Sequence, residues 1–474
     1  MFLSTSTTPN EPNVMVPAQK RKVVVFRGGS AANSLVDVFN EVIEKNNCAL
    51  TYVIPISDNG GSSSELIRVF GGPGIGDVRS LLVRLIPHTH TNMLNLFNHR
   101  LPASPEPAAA EFLTLLTGIS PLYNAIPTPQ AMLIRSILSH LHLEILKRNR
   151  PPTSTFNFQS ASVGNLFLTG ARLFSGSFES AIYLLAIIGG VDESKTAVLP
   201  AIVSNLSHHI SAGLANGSVI AGQNAISHPS EPTALNSNPS GDQADHASVM
   251  LNDINHTIED ATLPGSLPTL RHAAIAFSKT SEEPLPARIE RVWYINPYGQ
   301  EMRPPPNPKV LEAIGAAEAI IYSIGSLYTS IVPSLILERV GESIACSNSA
   351  RFKILILNGS LDRETGGFSA LDFVAAITRA GEESRGHTFQ SSESVNEKLW
   401  SQYVTHLIHL EGQSVPRVDK GELAKWGVEC VRLYGRKDGD GVTRYDGKAL
   451  AQALGAILGK RERRERSRRN TLEM

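Results

Sequence analysis

The run "KVVVFRGGSAANSLVDVFNEVIEK", followed by "ALTYVIPIS", leaves few folds open to this chain. Three valines and a phenylalanine form a short apolar segment that Gly28 and Gly29 close after Arg27. Leu35, Val38, Phe39, Val42 and Ile43 then recur at spacings of three and four, the period of a helix with one buried face. "ALTYVIPIS" is β-rich again, so the unit reads strand, helix, strand, and that order argues for a parallel sheet. The pattern returns in "AEAIIYSIGSLYTSIVPSLILERV" and in "FKILILNG" with "SALDFVAAITRA" behind it. "YVTHLIHL" and "GVECVRLYG" supply two more strands, and "GKALAQALGAILGK" a closing helix. The expected fold is α/β, a Rossmann-like three-layer α/β/α sandwich on a mainly parallel sheet.

Between these units the chain changes character. Residues 1–20 read as a disordered leader and 21–457 as one domain. Within that domain, about 101–152 is a helical insertion and about 227–286 a polar, disordered one. Asn216-Gly217 between alternating residues predicts a two-residue hairpin turn. Residues 458–474 form a basic tail, "GKRERRERSRRN", read as solvated surface or a nuclear address.

Composition narrows the function classes. A chain of 474 residues, 42% hydrophobic, can bury a large core, and a formal charge of −1 argues against nucleic acid as a partner. Three scattered cysteines make neither a disulfide framework nor a zinc cluster, and suit a reducing compartment. No apolar run reaches the ~20 residues of a membrane span, and no secretory signal opens the chain. The expectation is a cytoplasmic, homo-oligomeric protein with no membrane partner.

In open α/β sheets, ligands lie beyond the carboxyl ends of the strands, where glycine turns and helix N-termini present N–H groups. "RGGSAANS" places Gly28, Gly29, Ser30 and Asn33 there; a plain strand-to-helix turn with a serine cap explains it equally well. "SDNGGSSSE" adds Asp58, Asn59, Gly60, Gly61 and Ser62. An acid at Asp58 can bind a ribose hydroxyl, ligate Mg²⁺ or orient an attacking hydroxyl. "GGPGIGDVRS" brings Asp77 and Arg79, with Arg79 set to grip a phosphate or to pair with Asp77. Asn165 inside an apolar helix needs a partner, ligand or neighbour. Gly325, Ser326, Tyr328, Thr329 and Ser330 open a second helix toward an anion, more hydroxyls than a cap requires. Asp362, Glu364 and Thr365 lie where they can reach the same pocket, though an exposed charged loop is the commoner explanation, and His406 and His409, on opposite strand faces, read as structural.

Taken in order, "VVVFRGGSAANSL", "SDNGGSSSELIR", "GIGDVRSLLVRL", "SVGNLFL", "GSLYTSIVPSL" and "RETGGFSALDF" resemble the CofD/YvcK family over roughly residues 21 to 455. That family includes 2-phospho-L-lactate transferases of deazaflavin coenzyme biosynthesis and the bacterial gluconeogenesis factors. In the transferase branch, the resemblance implies movement of a phospholactyl group from a guanosine-diphosphate carrier, with Mg²⁺ as cofactor. In the YvcK branch it implies a pocket for nucleotide sugars and a regulatory role in carbon metabolism. The C-terminal stretches here look more like that second branch. Where the family often has two adjacent acids, this chain has Asp58 and Asn59; a family histidine is replaced by Ala161, and a Gly-Pro-Gly-Ser turn by Ser323-Ile324-Gly325-Ser326. Asp58 and Arg79 are thus the expected catalytic residues, Asp58 the expected metal ligand, and a nucleotide or nucleotide sugar the expected partner.

Overall fold

Seven parallel strands form the main sheet of the computed structural model, in the order β11-β10-β9-β8-β1-β2-β3. They are β1 (Arg21–Phe26), β2 (Cys48–Ile54), β3 (Thr196–Pro200), β8 (Ala319–Tyr322), β9 (Phe352–Ile356), β10 (His406–His409) and β11 (Glu429–Arg432). The structure describes residues 20–58, 60, 62–151, 154–227, 267, 270, 284–389, 393–412, 414–437 and 443–472. The leader, nearly all of the polar insertion, and Asn59 and Gly61 lie outside the described residues.

β1 sits at the centre because its side chains are apolar on both faces: Val23, Val24, Val25 and Phe26 are each no more than 2% exposed. Each such side chain contributes about 1.5–3 kcal/mol by leaving water. The chain steps outward from β1 to β2 and β3, then returns to the other side of β1 with β8 and steps outward again. The order therefore reverses between β1 and β8, which opens a crevice at their carboxyl ends.

The helices follow from the apolar periods. α1 (Val36–Lys45) buries Val38, Phe39, Val42 and Ile43 and packs on the closing helix Gly447–Leu472. α2 (Ser62–Phe70) and α3 (Gly76–Leu85) follow β2; α4 (Thr91–Asn98), α5 (Pro105–Thr117) and α6 (Thr128–Arg148) supply the helical segment. α7 (Val163–Ser175) is buried along its first ten residues and packs on α6 and α8 (Phe178–Gly189). α2 is tied down by a buried ion pair in which Arg68 Nε and Nη2 each donate to Glu65 at 2.7 Å. Among the described residues, no helix is long and apolar enough to cross a membrane.

A second, antiparallel sheet comprises β4 (His209–Leu214), β5 (Val219–Ala221), β6 (Ile289–Ile295) and β7 (Glu301–Met302), ordered β5-β4-β6-β7. The β4–β5 turn corrects the two-residue expectation. Leu214 pairs with Ser218, so Ala215, Asn216 and Gly217 make a three-residue loop, with Gly217 left-handed at φ +83°. A left-handed third residue is what closes such a loop, and glycine holds it without strain.

Candidate functional site

The turn after β1 is held by Arg27, which sequence reasoning overlooked because a lone arginine behind a strand matches no motif. Its guanidinium is 1% exposed, and Nη2 donates to Gly29 O at 3.2 Å and to Asn33 Oδ1 at 2.7 Å. Nε and Nη1 are buried without a hydrogen-bond partner among the described residues. Burial pulls the guanidinium below its usual range, against the attraction of Tyr52 and Asp77. Asn33 in turn donates to Ser80 Oγ at 2.6 Å. Gly28 lies against Ser330, where a Cβ would come within 2.8–2.9 Å of that residue's Cα, Cβ and O. Gly325, at φ +146°, approaches Gly28 O and exchanges two hydrogen bonds with the Asn358 amide, at 3.1 and 2.9 Å. The turns after β1 and β8 thus meet at the topological switch.

The turn after β2 is built around Asp58. Its Oδ1 accepts from Gly60 N–H at 3.0 Å. Gly74 and Gly76 close over it: a Cβ at Gly74 would lie 2.0 Å from Asp58 O, and one at Gly76 2.1 Å from Asp58 Oδ2. Two of the glycines in "GGPGIG", Gly74 and Gly76, thus serve close backbone approach to one acid, while Gly72 makes room for the Arg172 guanidinium. Asp77, 8% exposed, accepts from Gly29 N–H and leaves Oδ2 without a partner. That bond links the β1 turn to the Asp58 crevice. Burial and the charge of Asp77 push the Asp58 carboxyl up to about 7, against Gly60 N–H and Arg79; burial raises Asp77 too.

Arg79 does not pair with Asp77 within 4 Å. Its Nε donates to Asn165 Oδ1 at 3.3 Å, and Asn165 Nδ2 donates to Ser62 Oγ at 2.9 Å. The buried amide thus finds neighbours on both sides. Gly164 lets the Arg79 stem lie across the start of α7, since a Cβ there would meet Arg79 Cγ and Cδ at 2.9 Å. Burial lowers the Arg79 guanidinium to about 10, with repulsion from Arg100 next and attraction by Asp58 and Asp77 opposing.

Tyr328 and Thr329 are not turned toward this crevice. The Tyr328 hydroxyl donates to Ile289 O at 3.2 Å, and its ring packs on Phe368. The N–H groups of Tyr328 and Thr329 donate to Glu364 Oε2 at 2.8 and 3.2 Å, and Thr329 Oγ1 to Glu364 Oε1. The expectation of an exposed loop at 362–365 is overturned, because Glu364 is 2% exposed and occupies the π-helical N-terminus that sequence reasoning assigned to an external anion. Burial and Asp362 push its carboxyl up to about 8. Ser326 and Ser30 make no side-chain cap bond. His409 Nδ1 bonds its neighbour's carbonyl, Leu410 O, and His406 faces Thr405 and Glu429, both structural roles.

The raised Asp58 pKa makes a stability prediction. A carboxyl whose folded pKa exceeds its ordinary value near 3.8 favours the folded state most below that value, and the contribution is lost as pH rises through about 7. With chelator present, Asp58→Asn should flatten the fall in thermal midpoint between pH 5 and pH 8 and raise the midpoint at pH 8. Parallel curves for the two proteins would contradict this.

Known proteins resemble this chain over most of its length. The family model described as 2-phospho-L-lactate transferase CofD matches residues 23–433. An uncharacterized protein of Saccharomyces cerevisiae is 37% identical over 426 residues, covering 87% of this chain and 95% of that one. The gluconeogenesis factor of Bacillus subtilis is 22% identical over 441 residues, 93% of this chain and 99% of that one. The crystal structure of protein BH3568 from Bacillus halodurans superposes with a TM-score of 0.56 at 21% identity, over 92% of this chain and 99% of that one.

Proposed function

This chain belongs to the CofD family, and we propose that it binds a nucleoside-diphosphate compound in the crevice outside β1, β2 and β8, as a 2-phospho-L-lactate transferase-like protein. The observation that carries this reading is Arg79. It projects from α3 with its stem across the start of α7, bonds protein only through Nε among the described residues, and stands beside two buried acids without an ion pair to Asp77. A guanidinium with both Nη groups uncommitted is suited to two-pronged phosphate recognition. Gly28 lets Ser330 pack against the turn, and Ser330 Oγ stands beside Gly29 at the edge of the same crevice.

Transfer would need an acceptor hydroxyl to attack the ligand's phosphorus, the nucleotide to leave, and a base to take the hydroxyl proton. Asp58, near neutrality in its pKa, matches that last role at physiological pH. Magnesium fits the acid pair: Asp77 Oδ2 is buried and unpartnered, and both carboxyls are raised in the absence of a cation. Asp77 would hold it, with phosphates and water completing the octahedron and Asp58 left to the proton. When bound, it would supply neutralisation of phosphate charge.

A second reading, a non-catalytic nucleotide-sugar-binding regulator, is favoured by one feature: Asp58 is followed by the amide Asn59. Isothermal titration with UDP, UDP-N-acetylglucosamine, GDP, GTP and NAD tests what the two share. At least one nucleoside-diphosphate compound should bind; no binding by any of them to the folded protein overturns both readings. Product analysis with Mg²⁺ and a candidate acceptor then separates them. Asp58→Asn abolishes turnover in a transferase and only weakens binding in a regulator.

A further inference from the structure

We propose that the outward face of α6 is a self-association surface, across which a second copy of this chain lays its own α6 antiparallel. The interface holds whatever the crevice binds.

α6 runs for 21 residues, buries Ile134, Ile137, Leu138, Leu141 and Ile145, and packs on α5 and α7. A surface helix with such a core face carries polar and charged residues on the opposite one. Here the opposite face is uncharged. Pro129, Met132, Ser136, Ser139, Leu143 and Leu146 recur at alternating spacings of three and four, the seam of a coiled coil. Met132, Leu143 and Leu146 are 55–59% exposed. The charges beside the seam are held within the fold: Glu144 accepts from Lys147 and Arg148, and Arg135 donates to Leu116 O and Thr117 O.

The apolar surface extends past the seam. Leu133 is exposed, and Phe174, 67% exposed in the last turn of α7, meets the His140 ring edge-on at 5.8 Å. Ile187 of α8 is exposed beside Ile188, whose O accepts from Gln130 in the first turn of α6. These six large side chains expose roughly 600 Å² on each copy, most of the ~800 Å² per partner that a stable interface buries. An apolar patch of that size marks an interaction surface.

The order of residues along the seam identifies the occupant. With a two-fold axis between Ser136 and Ser139, each Met132 packs on Leu143 of the other copy, each Pro129 on Leu146, and each Ser136 on Ser139. Bulky layers close the two ends, and the serines let the backbones approach where the helices cross. The face is therefore complementary to itself, as a two-fold dimer requires. It suits a membrane poorly. Two serines stand at the centre of the stripe, and the face that would need to be basic is core.

Sedimentation equilibrium on the full chain reads the assembly. The wild type should dimerise, and Leu143→Glu should raise the Kd at least a hundredfold, because each dimer would bury two unpaired carboxylates. Leu143 is exposed, so the variant should melt with the wild type. Tyr434→Glu changes an exposed aromatic just past β11, at the opposite edge of the main sheet from β3, and should leave the dimer intact. Ser136→Cys/Ser139→Cys should cross-link the two copies under oxidised glutathione, above the level given by the three native cysteines. A monomeric wild type, a dimer unmoved by Leu143→Glu or lost equally in Tyr434→Glu, or no added cross-link overturns the interface. A monomer that floats with phosphatidylcholine–phosphatidylserine vesicles, and ceases to on Leu143→Glu, also overturns it and makes a membrane the occupant.

Discussion

Gly74→Ala is expected to abolish ligand binding and destabilise the fold by about 3 kcal/mol or more, at the upper end of what overpacking costs. The new methyl would sit 2.0 Å from Asp58 O, 2.6 Å from its N and 2.7 Å from its C. These are backbone atoms, so no side chain can rotate away. Gly74 N–H also donates to Ile56 O at 2.7 Å, which ties the loop to the end of β2. The loop and the acid must therefore separate, and the crevice opens. Gly315→Ala is the control: nothing lies within 4 Å of a Cβ there, in the helix Pro308–Ala316, so it should be neutral or gain about 0.5–1 kcal/mol. Denaturant midpoints measure both, and Gly74→Ala unfolding with the wild type would refute the cradle.

Glu364→Ala is the second large effect, again about 3 kcal/mol or more. It strands three buried donors, the N–H groups of Tyr328 and Thr329 and the Thr329 hydroxyl, each costing about 1–3 kcal/mol when unsatisfied, though not additively. Glu364→Gln keeps an acceptor of the same shape and loses little, because burial already favours the neutral acid, with its pKa near 8. Hydrogen exchange at Tyr328 and Thr329 should accelerate in the alanine variant alone. Equal protection in the two variants would show that Glu364 does not hold this turn.

How much of this could be read in the chain depended on the kind of signal. The parallel sheet is legible because β1, β2, β8 and β9 are short apolar runs bounded by glycine, serine or asparagine, with helical periods behind them. The glycine turns and Asp58 are legible for the same reason: they lie where strands end. What is not legible is long-range partnership. Glu364 sits in "LDRETGG", which has the composition of a surface loop, and only its contact with residues 35 and 36 positions earlier buries it. Arg27 stands alone in sequence, and its contact with Asn33, six residues on, forms only when the turn closes. The β4–β5 turn was offset by one residue, because Asn-Gly suits both a two-residue turn and a glycine-closed three-residue loop.

The central claim is one of place: the ligand lies at the switch between β1 and β8. A cavity of about 250 Å³ on the small sheet, among Arg291, Trp293, Arg303, His387 and Phe389, shares no residue with that crevice and is the natural competitor. Crystals grown with UDP decide between them. Phosphate density is expected against Gly28–Ser30 and within reach of Arg79. Density confined to the Arg291–Trp293 cavity would contradict it.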